Sequence, residues 1–505
     1  MKNEFFYAFL FLFSTNVLCE SSVSEMLRNK KVKIVPTLIY AYGVSSFVKK
    51  SYAKKKANNA DILFEKSLLE PSVEVDFQLQ EDRLDQGASV FSPNRKSIQS
   101  LSSSYLKSYS NGTKFTVTSS LTKARNEFSS SANSRGFNLP STREYESNFS
   151  INFEKSLWKN YLGKETQGRL QEKIIDSKIK NITTEKDTKD WIFEVIRSYH
   201  KLWDESQNYK IALSKFNLQK KLVSIAKKNY QIGILDEAEY LLAKSHLLLS
   251  ENRLFSAKIT LLTSWKKIYT ILGINPDSTS EKLLDVEILF KKDLIKESLL
   301  YCKAESDYHF SKSEEVLRSR RLLKKFNQET ENTKESIKPS LYAGTSLTIN
   351  EKDPYIDKVF SRYFEKINPK ISFYIGFNYR LGKSYEKSQL IKSLSKKEQE
   401  YHNLDNILNE KKLDLTTACS SIRSLKQNLE LLEKAKIILN QRVEVEKKDF
   451  SVAKSTVSKI HQASLDFLSN QNNIKATKLN LSLSSWRVLY IVGSLKNYLS
   501  LSEKR

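Results

Sequence analysis

Histidine, cysteine and clustered carboxylates are where metal or catalytic chemistry would show first, and in this chain they do not gather. His200, His246, His309, His402 and His461 stand singly, without the short spacings that bring two imidazoles onto one metal ion. Cys302 and Cys419 lie in helical patterns and read as small apolar packing residues, not as a disulfide framework. No Gly-rich phosphate loop and no nucleophile elbow occurs. The expectation is a protein that is not an enzyme and uses no cofactor. The formal charge of +25 invites a nucleic-acid reading. However, the basic residues are interspersed with acidic ones, so the charge reads as solvated helix surface and no nucleic-acid partner is expected.

The residues that do repeat are structural. Tyr230 stands three residues before Gly233, and Phe450 three residues before Ala453. Each small residue is followed 40 positions later by a glycine that closes a helical pattern, Gly273 and Gly493. Gly233 and Ala453 are 220 residues apart, as are Gly273 and Gly493; Gly163 and Gly382 are 219 apart; Trp265 and Trp486, and Tyr269 and Tyr490, are 221 apart. The chain is internally duplicated on this reading, and Gly233 and Ala453 are tight turns between helices.

The elements follow from periodicity. Only 12 Gly and 8 Pro interrupt 505 residues, so long helices are expected. Helical patterns cover residues 22–69, 164–230, 235–272, 281–336, 385–449 and 455–494. The two longest would reach ~100 Å at ~1.5 Å per residue. Period two appears in Val73, Val75, Phe77 and Leu79, in Phe149, Ile151 and Phe153, and in the run from Ile371 to Leu381. Asn111-Gly112 suggests a hairpin inside the Ser/Asn-rich stretch between them, which reads as an enlarged loop or an added hairpin. Residues 1–19 read as a signal peptide with its apolar core at Phe5–Phe13, too short to span a bilayer. Cys19 is either the last residue before cleavage or a lipid attachment site. Strands with one apolar and one polar face, about the length that spans a bilayer when tilted, fit a membrane barrel. They are too few to close alone, and open edges in lipid leave backbone groups unsatisfied, so several chains must share one barrel. The competing reading is a periplasmic coiled-coil scaffold or adaptor.

The duplication, the helix–Pro–strand entries at Pro71 and Pro339, the strand exits SLWKNYLG and NYRLG, and the two aromatic-x-x-small turns together resemble the outer membrane efflux protein family, the TolC-like channel subunits. The resemblance implies an α+β membrane protein: an antiparallel coiled-coil tunnel joined to a homotrimeric barrel of 12 strands, four from each chain. Its implied divisions are a first repeat over 20–273 (strands about 71–160), an equatorial linker over 274–290, a second repeat over 291–494 (strands about 339–381) and a tail over 495–505. It implies passive export of small molecules or polypeptides, as in efflux or type I secretion, across the outer membrane of a Gram-negative bacterium. The implied partners are a periplasmic adaptor, an inner-membrane transporter and outer membrane lipid. Tyr230, Gly233, Ile234, Phe450, Val452 and Ala453 would form adaptor-docking tips. The periplasmic constriction would involve Glu239, Phe450, Ser455, Lys459 and Gln462. Lys459 and Gln462 stand where better-known members carry aspartates, and Ser455 where they carry arginine.

Overall fold

The computed structural model describes residues 31–32, 34–82, 95–127, 142–272, 285–286, 292–303, 307–365, 369–379, 381–382, 384–452 and 454–499. In chain order the elements are β1 (Lys31–Val32), α1 (Ile34–Val44), α2 (Ser46–Ser67), β2 (Ser72–Asp82), β3 (Arg95–Ser108), β4 (Thr113–Glu127), β5 (Thr142–Ser156), α3 (Lys164–Gln231), α4 (Glu237–Leu272), β6 (Asp285–Val286), α5 (Lys292–Lys303), α6 (Glu314–Ser336), β7 (Ser340–Asp353), α7 (Ile356–Glu365), β8 (Lys370–Asn378), α8 (Ser384–Ser451), α9 (Val457–Ile491) and α10 (Leu495–Tyr498). The expected leader, Gly273, most of the 274–290 linker, Ala453 and the end of the tail lie outside the described residues. No described helix is long and apolar enough to cross a membrane.

The long proline-free runs form helices as periodicity predicts. Helices α3 and α8 each have 68 residues, and their return helices α4 and α9 have 36 and 35. Other expectations need correction. The run over 22–69 is interrupted at Ser45, whose hydroxyl accepts from the Phe47 amide at 3.1 Å and restarts the helix as α2. The run over 281–336 is not one helix. It contains β6, α5, a 3₁₀ turn over Asp307–Lys312, and α6. Phe310 in that turn is buried with Val316, Leu415 and Ile422, and seating it redirects the chain. The loop between β7 and β8 holds α7, started by the Asp353 carboxylate, which accepts from the Tyr355 amide at 3.0 Å.

The chain divides into two compact units. One comprises Lys56–Lys180 and Arg320–His402 and contains a six-stranded sheet in the order β2-β3-β4-β5-β7-β8, antiparallel throughout. Among the described residues this sheet has six strands, where the resemblance implies four, because the Ser/Asn-rich stretch is the hairpin β3–β4 inserted between β2 and β5. Register places most of the apolar side chains on one face. One face carries Val73, Val75, Phe77 and Leu79, then Leu101 and Tyr105, Phe115 and Val117, Phe149, Ile151 and Phe153, Leu341 and Leu347, and finally Ile371, Phe373, Ile375 and Phe377. The other carries Glu74, Asp76, Gln78, three serines of β3, Thr116, Thr118, Ser150, Asn152, Ser346, Thr348 and Ser372. On that polar face Thr118 and Ser150 share a hydrogen bond at 2.6 Å, and the Tyr374 hydroxyl donates to Asn152 at 2.9 Å. Gly163, the expected strand terminator, joins β5 to α3 at φ +76°; a side chain there would collide with the Ser110 carbonyl of the β3–β4 turn.

The second unit comprises Met1–Lys55, Asn181–Ser319 and Asn403–Arg505. Its core packs Leu38, Ile192, Tyr199, Leu202, Trp265, Ile268, Trp486 and Leu489. Within it the buried Lys189 ammonium donates to Glu314 and to the Tyr490 carbonyl, and lies 4.6 Å from the Tyr490 ring centroid. The Tyr490 hydroxyl donates to Asp190 at 2.5 Å. Burial, then Asp190, push that phenol above its usual range. Glu315 takes Lys411 and Lys186; burial opposes its ionisation, but the two ammoniums outweigh it and hold the carboxyl below its ordinary value. Contrary to the sequence reading, Cys302 of α5 and Cys419 of α8 form a disulfide, with Cα atoms 5.7 Å apart. Their separation of 117 residues hides the pairing from any local spacing rule.

Candidate functional site: the two helix-turn-helix tips

At the first tip α3 ends at Gln231. Gly233 turns the chain at φ +74°, a conformation that costs L residues ~1 kcal/mol or more. The Ile234 amide returns to the Asn229 carbonyl at 2.9 Å. Asp236 then caps α4, its carboxylate accepting from the Glu239 amide at 2.8 Å. Tyr230 stacks on Tyr240 with centroids 5.5 Å apart, and Ile232 and Ile234 stand exposed. The second tip is built alike: α8 ends at Ser451, the Lys454 amide returns to the Asp449 carbonyl at 2.8 Å, and Thr456 caps α9. Val452 is exposed.

The structure brings the two tips together. Phe450 is buried among Leu222, Ala226, Ala243, Val457 and Ile460, with Leu235 and Tyr240 against the cluster. It therefore fills the core between the tips and is not on their exposed surface. Glu239 of the first tip accepts from the Val457 amide at 3.1 Å, satisfying a helix-start donor of the second tip. Ser455 donates to Glu446 at 2.6 Å. Gln462 donates to Asp466 at 2.8 Å, and Asp466 also takes Arg442 at 2.9 Å. Lys459 is exposed on the first turn of α9. Thus the expected tip residues Tyr230, Gly233, Ile234 and Val452 sit on the turns. Of the expected constriction residues, Lys459 and Gln462 are on the exposed surface of α9, and Glu239 and Ser455 are tied into caps and side-chain pairs.

Sequence reading missed Ile232, Tyr240 and the histidine pair. Asp236-x-x-Glu239 is a legible capping signal. His246 and His461 stack face to face at 3.7 Å between centroids. Gln219 is 3.3 Å from His461 Nδ1. Burial, then the charges of His246, Lys215 and Arg253, bring His461 down to about 4; burial and Lys215 also lower His246. Parallel stacking sets the ring nitrogens side by side instead of aiming them at one point. Among the described residues no three His, Cys, Asp or Glu side chains could hold a metal ion.

No family model matches the chain, and no curated protein matches it in sequence. Solved structures do match its fold. The outer membrane protein VceC from Vibrio cholerae superposes with a TM-score of 0.64 at 11% identity, covering 91% of this chain and 96% of that one. The fold is that of these outer membrane channels. The Campylobacter jejuni outer membrane channel CmeC gives 0.64 at 11% identity, over 92% of this chain and 86% of its own. CusC, described as forming a transmembrane channel, gives 0.67 at 9% identity over 91% and 92%. The fold thus extends over nearly the whole chain.

Proposed function

We propose that the chain is one subunit of a trimeric outer membrane channel that conducts exported small molecules or polypeptides passively. In this reading it receives cargo from an inner-membrane transporter through a periplasmic adaptor. The two repeats, 20–273 and 291–494, each contribute a long helix, a return helix and membrane strands, and the helices form the periplasmic tunnel. The observation that carries the reading is the sheet. One face is mainly apolar from β2 to β8, with Phe373 83% exposed, while the other carries hydroxyls, amides and the carboxylates of Glu74 and Asp76. A contiguous apolar face of that extent requires a cover, and a hydrophilic reverse face excludes a second packed layer there. Lipid outside and water inside satisfy both. A scaffold or adaptor accounts for neither face.

The tips are assigned to the periplasmic entrance. Ile232, Ile234 and Val452 offer apolar contacts to an adaptor, and Lys459 lines the constriction. Purified protein should produce discrete conductance steps in planar bilayers. Lys459→Asp should shift ion selectivity toward cations and strengthen block by divalent cations, because charge in a narrow passage selects ions. The shift should fade as salt rises, since exposed charge is screened over ~10 Å at ~0.1 M. Conductance steps whose selectivity and divalent block are untouched by Lys459→Asp would remove Lys459 from the constriction. No conductance steps at all would remove the channel reading.

A further inference from the structure

The sheet itself bears on how many strands enclose the pore. Strands β2 and β8 are its edges. Each carries a row of unpaired backbone donors and acceptors, which lipid does not tolerate. All neighbours are antiparallel along the six-strand order, so the two edge strands run in opposite directions. Placed side by side, β8 of one copy and β2 of the next therefore continue the antiparallel pattern without a break.

The slant of the apolar band gives a second, independent observation. One row of facing residues runs Val73, Tyr105, Val117, Ile151, Leu347 and Ile371. In β2 that row is the starting end of the apolar run, which continues to Leu79. In β8 it is the opposite end, and the run continues the other way to Phe377. The band therefore slides about six residues, or ~20 Å at ~3.3 Å per residue, while crossing ~24 Å of sheet at ~4.8 Å per strand. That is a strand tilt of about 40°, inside the ~35–45° of membrane barrels. The hairpin β3–β4 keeps to this slant, with Leu101 and Tyr105 on one strand and Phe115 and Val117 on the other. Beyond the band the sheet ends in ion pairs, Arg95 with Glu81 and Lys352 with Glu146.

We propose that three copies close a barrel of 18 strands, six from each, through a β8–β2 seam between copies. The inserted hairpin is part of the wall. The number of copies rests on the trimer of the proposed function; the strand count per copy does not. Barrel diameter grows roughly linearly with strand number, so this barrel is about half again as wide as one of 12 strands, and barrels of ~16–18 strands hold an aqueous channel. The added sector of its inner wall is hydroxyl-lined over its middle, with Ser100, Ser102 and Ser104 beside Thr116 and Thr118, and Lys96 and Lys114 stand at its ends.

Extending the slant by one strand brings Val75 and Phe77 of one copy level with Ile375 of the next. The test uses full-length protein extracted in detergent, with cysteines added in pairs and oxidised. The pairs Val75→Cys/Ile375→Cys and Phe77→Cys/Ile375→Cys should give a covalent ladder of two and three chains on denaturing gels. Val75→Cys/Ser103→Cys and Ser119→Cys/Phe149→Cys, which face each other within one chain, should give intrachain links identified by peptide mass spectrometry. Intact trimers in which Val75→Cys instead links to Phe149→Cys would place β2 directly beside β5. That result would exclude the hairpin from the wall, overturning the 18-strand barrel while leaving the channel reading intact. Trimers that form neither seam nor hairpin links would also overturn it. A chain that never forms trimers would defeat the proposed function first, and the closure with it.

Discussion

Glu239 shows how little of a residue's role lies in its own neighbourhood. Its place in the capping signal after Asp236 is legible from sequence, yet its carboxylate serves the Val457 amide, 218 residues away. Phe450 was legible as a landmark but not as core, because burial depends on which helices meet it. His200 is a further case. Its Nδ1 lies 2.8 Å from the Ile196 carbonyl, which can only accept, so Nδ1 carries the proton and Nε2 accepts from the Ser482 hydroxyl at 2.8 Å. Burial lowers its pKa from 6.5 to about 4, so the folded state holds it neutral. Between those values the unfolded chain binds more protons, so acidification from pH 6.5 toward 4 should remove stability, up to ~3 kcal/mol from this group, with no effect above that window. Melting of His200→Gln in detergent should be less sensitive to a change from pH 7.5 to 5 than the parent. Equal sensitivity would show that His200 does not set that slope.

At the scale of elements, the long helices and edge strands were readable because their periods are uninterrupted. Thus α3 and α8 fall within two residues of the boundaries expected at either end. The breaks were not readable. The run ahead of β7 turns through a 3₁₀ segment to bury Phe310. In the Ser/Asn-rich stretch the Asn111-Gly112 turn was legible, but the extent of the strands on either side of it comes from their partners. Leu101 and Tyr105 are too widely spaced among serines to announce a membrane strand alone. The disulfide between α5 and α8 closes a long loop, contributing about 4–5 kcal/mol in the chain-entropy account, and it fits an oxidising compartment such as the periplasm. The faces of the sheet make a sharp prediction. Phe373→Arg, on the apolar face, should cost roughly 2–4 kcal/mol in a membrane and reduce the yield of assembled protein. Ser372→Arg, on the polar face, should be tolerated. Assembly assays that respond equally to both would mean the two faces do not meet lipid and water.

For the whole molecule, a recurring spacing near 220 residues was legible in the sequence because glycines and tryptophans recur at it. The strand total was not, since it depends on how an inserted hairpin pairs with its neighbours. The central claim is that this chain completes its membrane wall only by sharing strands with identical copies, for an apolar sheet with two open edges is stable neither alone in water nor alone in lipid. Native mass spectrometry of the full-length chain released from outer membranes by detergent tests it most directly. Three chains in one complex, dissociating only as the detergent is made denaturing, is the predicted result. A monodisperse monomer, washed from cells without detergent and soluble in water, would contradict it.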